Sequence, residues 1–328
     1  MPAEIKHVRF LTWLASLCLL AGCADSGNEK VLTLAHGLDE GHTVHKAMVL
    51  MGERLDAYSG GTMKVSIYSG GQLGSERETL ELLQIGSLAM TKVSASPLEG
   101  FVPTLKLFSI PYIFKDRDHH LRVLDSTIGE QLLDSLQVAR LKGLGYYDAG
   151  SRSFYTNTRP VETPADLEGL KIRVMKSQTS VQMVAELGGS PTPISLGEIY
   201  TALQQGVVDG AENNPPTFHR MRHYEAAGFY SLDEHTFVPD VLLMSKRFWD
   251  DLSEQEQGWL KRAVRESVEY QRDLWQAETQ QSIDAVKAAG VVVTYPDKAP
   301  FRAAVESMKA AYAGTETGAL LDAIKGME

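Results

Sequence analysis

Apolar and polar residues follow two rhythms along this chain, and the switches between them mark its elements. Val31-Leu32-Thr33-Leu34-Ala35 suits a strand, the apolar positions from Thr43 to Tyr58 recur at helical spacing, and Ser59-Gly60-Gly61 ends that helix before the alternating run Met63 to Tyr68. This is a β-α-β opening. Further short apolar runs at Gly143 to Tyr147, Lys171 to Met175 and Val291 to Val293 continue the alternation and predict α/β layers with largely parallel strand pairing. One helix is far longer than the rest. It opens at a capping box, Ser253 with Glu256, and closes before Gly290. Its roughly 36 residues would span about 54 Å, more than one domain of this size needs, so it predicts a strut across two.

An internal repeat supports two similar halves. Ser75 to Gly86 and Ser195 to Gly206 share Ser, Glu, Leu, Gln and Gly in register at an offset of 120 residues. Each segment reads as one helix with a capping box, Ser75 with Glu78 and Ser195 with Glu198, and a glycine at its end. Two ordinary helices with common caps would give the same letters, so the repeat alone does not establish a cleft. If it reflects two α/β lobes, a ligand would lie between them, beyond the carboxyl ends of the strands and near the helix starts. Glu76 and Leu196 then hold equivalent places, one offering acceptors and the other an apolar surface, a pairing that suits a sugar-like ligand.

The first residues concern export. Lys6 and Arg9 precede a 12-residue apolar run, Phe10 to Ala21, which ends in Leu20-Ala21-Gly22-Cys23. A charged start, a short apolar stretch and a small-residue cleavage site make residues 1–22 a signal peptide, since a membrane span needs about 20 apolar residues. The tetrapeptide resembles a bacterial lipobox, which would make Cys23 the site of lipid attachment and residues 23–30 a tether. Cys18 is the only other cysteine and falls in the removed segment, so no intrachain disulfide is expected. The formal charge of −10 argues against a nucleic-acid partner. An acidic protein that binds an anion needs a local cluster of arginines.

Two arginines are candidates. Arg173 interrupts the apolar strand Lys171-Ile172-Arg173-Val174-Met175, and Arg152 follows Gly150-Ser151 at the end of another strand region. Each would serve equally as half of a structural ion pair or as a planar fork for a ligand carboxylate, and spacing does not separate these readings. Catalysis is not expected: no Gly-x-Ser-x-Gly elbow is present, and Gly143-Leu144-Gly145-Tyr146-Tyr147-Asp148 lacks the third glycine of a dinucleotide loop. His42-Thr43-Val44-His45 has a spacing that can chelate a metal, but a helix start accounts for it, so neither metal nor cofactor is expected.

Four separated motifs carry a family likeness: Gly71-Gln72-Leu73-Gly74, Leu107 to Tyr112, Pro164 to Arg173, and Leu203 to Asn213. In this order they resemble the DctP-type substrate-binding proteins of tripartite ATP-independent periplasmic (TRAP) transporters, over nearly the whole exported chain. The resemblance implies a two-lobed periplasmic binding protein-like fold with a hinge and a long helix spanning both lobes. Residues 31–149 with 239–278 would form lobe I, and 150–238 with 279–328 lobe II. It further implies closure on an organic acid and docking on a small and a large membrane subunit. Arg173 matches the carboxylate-clamping arginine, Arg152 a second arginine beside it, and Asn213 the asparagine that completes the clamp. Glu76, Leu196 and Ser94 match cleft-lining positions of sugar-acid binders. The chain departs from the sialic acid and dicarboxylate types around Asn213 to Pro216 and Leu232 to His235. Glu234, His36 and His42 would add groups for several hydroxyls, which favours a hexuronate such as glucuronate or galacturonate. A C4-dicarboxylate, an aldonate or keto sugar acid, or a ligand-presenting role beside a receptor kinase are the alternatives.

Overall fold

A computed structural model describes residues 29–328. The signal-peptide and Cys23 expectations lie outside them. The chain forms two sheets. The first has five strands in the order β2 (Met63–Tyr68), β1 (Lys30–Ala35), β3 (Met90–Ser94), β10 (Asp240–Ser245) and β4 (Leu141–Tyr147). The second has six, in the order β11 (Val292–Thr294), β9 (Phe229–Phe237), β5 (Ser151–Thr156), β8 (Gly210–Asn213), β6 (Lys171–Val174) and β7 (Ser190–Pro193).

Apolar side chains fill both faces of each sheet. On β10, Val241 and Leu243 join one cluster while Leu242 and Met244 join the opposite one, and on β5 Phe154 and Tyr155 divide in the same way. Strands buried on both faces read as continuous apolar runs, which is how they stand out in the sequence. The expected parallel pairing holds for β2-β1-β3 and for β7-β6-β8, but β10 and β5 are antiparallel to their neighbours. The reason lies in the connections. β4 passes directly into β5, and β9 into β10, so each chain leaves the carboxyl edge of one sheet and enters the carboxyl edge of the other, where it must run against the strands already there.

The long helix, Glu254–Ala288, has 35 residues and starts at the expected capping box, with Ser253 N donating to Glu256 Oε2 at 2.7 Å. Leu260, Ala263 and Val264 pack with the first sheet and Val286 with the second. It therefore bridges both, as a two-lobed binding-protein fold with a spanning helix requires. The repeat is recovered with one difference. Ser75 caps a single helix, Glu76–Ile85, whereas Ser195 caps a 3₁₀ turn, Leu196–Glu198, followed by the helix Ile199–Gln204. Gly197, a weak helix former, sits in that tightened turn.

The end of the chain corrects the expected division. Phe301, Val305 and Met308 pack on the second sheet, but Tyr312, Leu320, Leu321, Ile324 and Met327 pack into the first sheet's core. The ring Nε2 of His119 bonds Ile324 O at 2.9 Å. The apolar stripe of the helix Glu316–Lys325 finds its partner there, so the last residues do not belong with 279–310. Among the described residues, no helix is long and apolar enough to cross a membrane.

Candidate ligand site

The carboxyl edges of the two sheets face one another. In the second sheet Arg173 lies on β6, Glu212 and Asn213 end β8, and Arg152 begins the antiparallel β5, so strand direction brings all four to one edge. The first sheet repeats this logic: Lys92 and Ser94 end β3, and Asp240, which begins antiparallel β10, pairs with Ser94. Glu76 opens its helix just above. A chamber of about 30 Å³ is lined by Glu76, Lys92, Ser94, Asp240, Arg152 and Arg173, with Leu196, Asn213 and Asn214 among its other walls. It opens into a mouth of about 420 Å³ with which it shares Glu76, Arg173, Met175 and Leu196.

The arginines occupy different states. Arg152 is 4% exposed and spent on its own sheet: Nε pairs with Glu212 Oε2, Nη1 donates to Asn213 Oδ1 at 2.8 Å and Nη2 to Glu212 O at 2.7 Å. The ion-pair reading is therefore correct for this side chain, although it still lines the chamber. Arg173 is 3% exposed and donates through Nε to Ile194 O at 2.8 Å, while its Nη1 is buried with no hydrogen-bond partner among the described residues. Burial lowers its pKa, only partly opposed by Glu212. A buried guanidinium with an unspent N–H, on a side chain that lines a chamber, suits the receipt of an anion.

A buried polar chain supports Arg152 from behind. His235 Nδ1 bonds Asp233 Oδ2 at 2.9 Å, its Nε2 stands at an ion-pair distance of 3.6 Å from Glu212, and Tyr112 donates to Asp233 at 3.1 Å. Burial alone would lower the pKa of His235, but the Asp233 charge and hydrogen bond and the nearby Glu212 raise it to about 9. Burial would likewise raise Glu212, yet Arg152 and His235 hold it at about 2. Sequence reasoning overlooks Glu212, Lys92 and Asp240.

The opposite wall is a second charged set. Lys92 is 2% exposed and donates to Asp240 Oδ1 at 2.9 Å, with Glu76 Oε1 at 3.8 Å; Ser94 donates through Oγ to Asp240 and through N to Glu76. Burial raises the pKa of Glu76, countered by Lys92. One lysine thus stands between two carboxylate acceptors along this wall. Arg152, Arg173, Asn213, Glu76, Ser94 and Leu196 are all brought together here. Glu234 is not: it bonds Lys298 and Ser151 and lines a separate cavity. Nor are the two histidines. His36 uses both ring nitrogens within its own lobe, toward His45 at 2.9 Å and Leu38 N at 3.1 Å, and His42 Nδ1 caps its helix by accepting from Val44 N at 3.2 Å. A charge pattern cannot show which side of a strand junction a side chain takes, and that places these three wrongly.

Two lobes, a bridging helix and a cationic chamber between carboxyl edges define a solute-binding protein. The profile of the bacterial extracellular solute-binding proteins, family 7 (DctP), matches residues 34–315. The chain belongs to that family, the DctP-type substrate-binding proteins of TRAP transporters, whose partners are the transporter's membrane subunits. It is similar to an uncharacterised Salmonella typhimurium protein, YiiZ, at 38% identity over 89% of this chain and 90% of that one. It also resembles the 2,3-diketo-L-gulonate-binding periplasmic protein YiaO of Escherichia coli, at 28% identity over 91% and 90% of the two chains. Among solved structures, a TRAP periplasmic solute-binding protein of a Bradyrhizobium species in complex with α/β-D-galacturonate superposes with a TM-score of 0.88, at 42% identity, over 90% of this chain and 100% of that one. A Roseobacter denitrificans protein with bound β-D-glucuronate gives 0.88 at 38% identity, over 91% and 100%.

Proposed function

We propose that this protein captures a hexuronate, galacturonate or glucuronate, between its lobes and passes it chemically unchanged to the TRAP membrane subunits. One observation carries the reading: Arg173, buried and with its Nη1 unspent, lines the same inner chamber as Lys92, Asp240 and Glu76. About 30 Å³ holds little more than a water, which needs roughly 10–15 Å³, so the chamber suits a carboxylate while the ring occupies the wider mouth. There the ring hydroxyls meet Glu76 and its apolar face meets Leu196, while Lys92 stays at the inner chamber. A C4-dicarboxylate offers neither ring hydroxyls for Glu76 nor an apolar ring face for Leu196. The similar structures that hold galacturonate or glucuronate favour the same class.

Two finer points complete the reading. Lobe I comprises residues 31–149 and 239–278, lobe II 150–238 and 279 to about 310, and the C-terminal helix rejoins lobe I. Cys23, followed by its short tether, attaches the exported protein to a membrane through lipid. Cys23→Ser should abolish membrane association in fractionated cells, and unchanged association would remove the lipid from this account. The substrate is tested by calorimetry against galacturonate, glucuronate, gluconate and succinate. Heat from the uronates and little from succinate is expected. Binding of succinate alone would overturn the sugar-acid assignment.

A further inference from the structure

Behind the hinge lies a second cavity, of about 560 Å³, that the binding of a uronate does not use. Three adjacent pairs place it: Arg152, Ala149 and Asn214 line the front chamber, while Ser151, Gly150 and Pro215 line the rear cavity. Ser151 and Arg152 divide because successive residues of a strand point to opposite faces; the other two pairs divide in the β4–β5 connection and at a helix start. The two spaces are on opposite sides of one hinge layer. Three of the chain's passages between the sheets border the rear one, through Gly150 and Ser151, through Phe237, and through Trp275 to Gln280 of the long helix, while the last, beyond Met308, does not.

The charges there run against the rest of the protein. The whole chain carries −10, yet Lys115, Arg117, Lys298 and Arg302 line this cavity against Asp116 and Glu234 only. Arg117 pairs with Asp148 and Lys298 with Glu234. Lys115 and Arg302 form no ion pair among the described residues, and Arg302 rests over the Tyr112 ring at 5.4 Å. One unpaired cation sits on the first-lobe loop and the other on the second-lobe helix Lys298–Ala304. The volume falls in the usual range for small-molecule sites, about 300–1,000 Å³.

We infer that the rear cavity binds a small multivalent oxyanion, of the polycarboxylate or phosphate class, bridging Lys115 and Arg302. Such a bridge draws the rear margins together, and with the hinge between them the front margins separate. The rear anion therefore opposes closure on the uronate, and linkage makes the effect reciprocal.

The test uses the purified protein at constant ionic strength, with citrate and inorganic phosphate as separate probes. Calorimetry should detect binding of at least one probe to the wild type and to Arg173→Lys, whose front site is impaired, but not to the double variant Lys115→Ala/Arg302→Ala. Saturating probe should weaken galacturonate binding by about fivefold or more, and the double variant should bind galacturonate as the wild type does, with the probe effect gone. No heat from either probe, or equal heat with the double variant, overturns the site. A probe lost in Arg173→Lys but kept in the double variant is a front-site competitor and overturns it too. The coupling arm rests on the uronate reading. If galacturonate does not bind at all, that reading fails while the probe titrations still decide the rear site.

Discussion

Arg173 and Arg152 look alike in sequence and differ in what their burial demands. Arg173→Lys keeps the charge and loses the fork, so uronate affinity should fall by roughly 2–4 kcal/mol. Stability of the ligand-free protein should hold or rise in urea titration, because the wild-type Nη1 is buried without a partner. Arg152→Met should instead cost about 3–5 kcal/mol of ligand-free stability, since it strands Glu212 in the interior. Equal stability losses in both variants would contradict this division. His235 adds a pH signature. Its pKa rises from 6.5 unfolded to about 9 folded, so its stabilisation is complete below about pH 6.5 and disappears as pH climbs through 9. His36, His42, His120 and His223 run the other way, each lowered to about 3 by burial first of all, which removes stability as pH falls below 6.5. Urea midpoints should decline on both sides of neutrality, and His235→Gln should flatten the alkaline decline alone. The charged residue within an apolar strand was a legible signal for Arg173. Lys92 in Met90-Thr91-Lys92-Val93-Ser94 carries the same signal and can be found by it. Glu212 gives none, because its importance comes from β5 being laid beside β8, a neighbour 60 residues distant.

At the level of elements, caps and breaks were readable and sheet order was not. The capping boxes at Ser75, Ser195 and Ser253 are local chemistry, and all three form. The antiparallel β5 and β10 depend on the chain changing sheets, which no local period encodes. The crossing between β4 and β5 turns at Gly150, where φ is 58° and an added Cβ would stand 2.8 Å from the Trp275 indole Nε1. Gly150→Ala should therefore destabilise by about 1–3 kcal/mol through backbone strain, with further loss from displacement of Trp275. The same variant should alter uronate affinity, since Trp275 belongs to the helix that joins the lobes. Thermal unfolding with and without galacturonate checks both effects, and an unchanged midpoint would show that the helix yields freely at this point.

For the molecule as a whole, the sequence disclosed two lobes through the repeat and the strut, while the return of the C-terminal helix was hidden because an amphipathic stripe does not name its partner. Uronate bound between the carboxyl edges should draw the lobes together about the hinge. Small-angle scattering should record a smaller radius of gyration with saturating galacturonate, and superimposable profiles would exclude that closure. The route of the chain adds a mechanical asymmetry. β1 begins the described chain in the first sheet, and the helix Glu316–Lys325 finishes it against the same sheet's core. Both ends of the described chain thus belong to one body, and the second body is built from two excursions of chain thrown out from it and brought back. With the lipid proposed at Cys23, the first body is the one held near the membrane, and the second is the jaw that moves relative to it on closure.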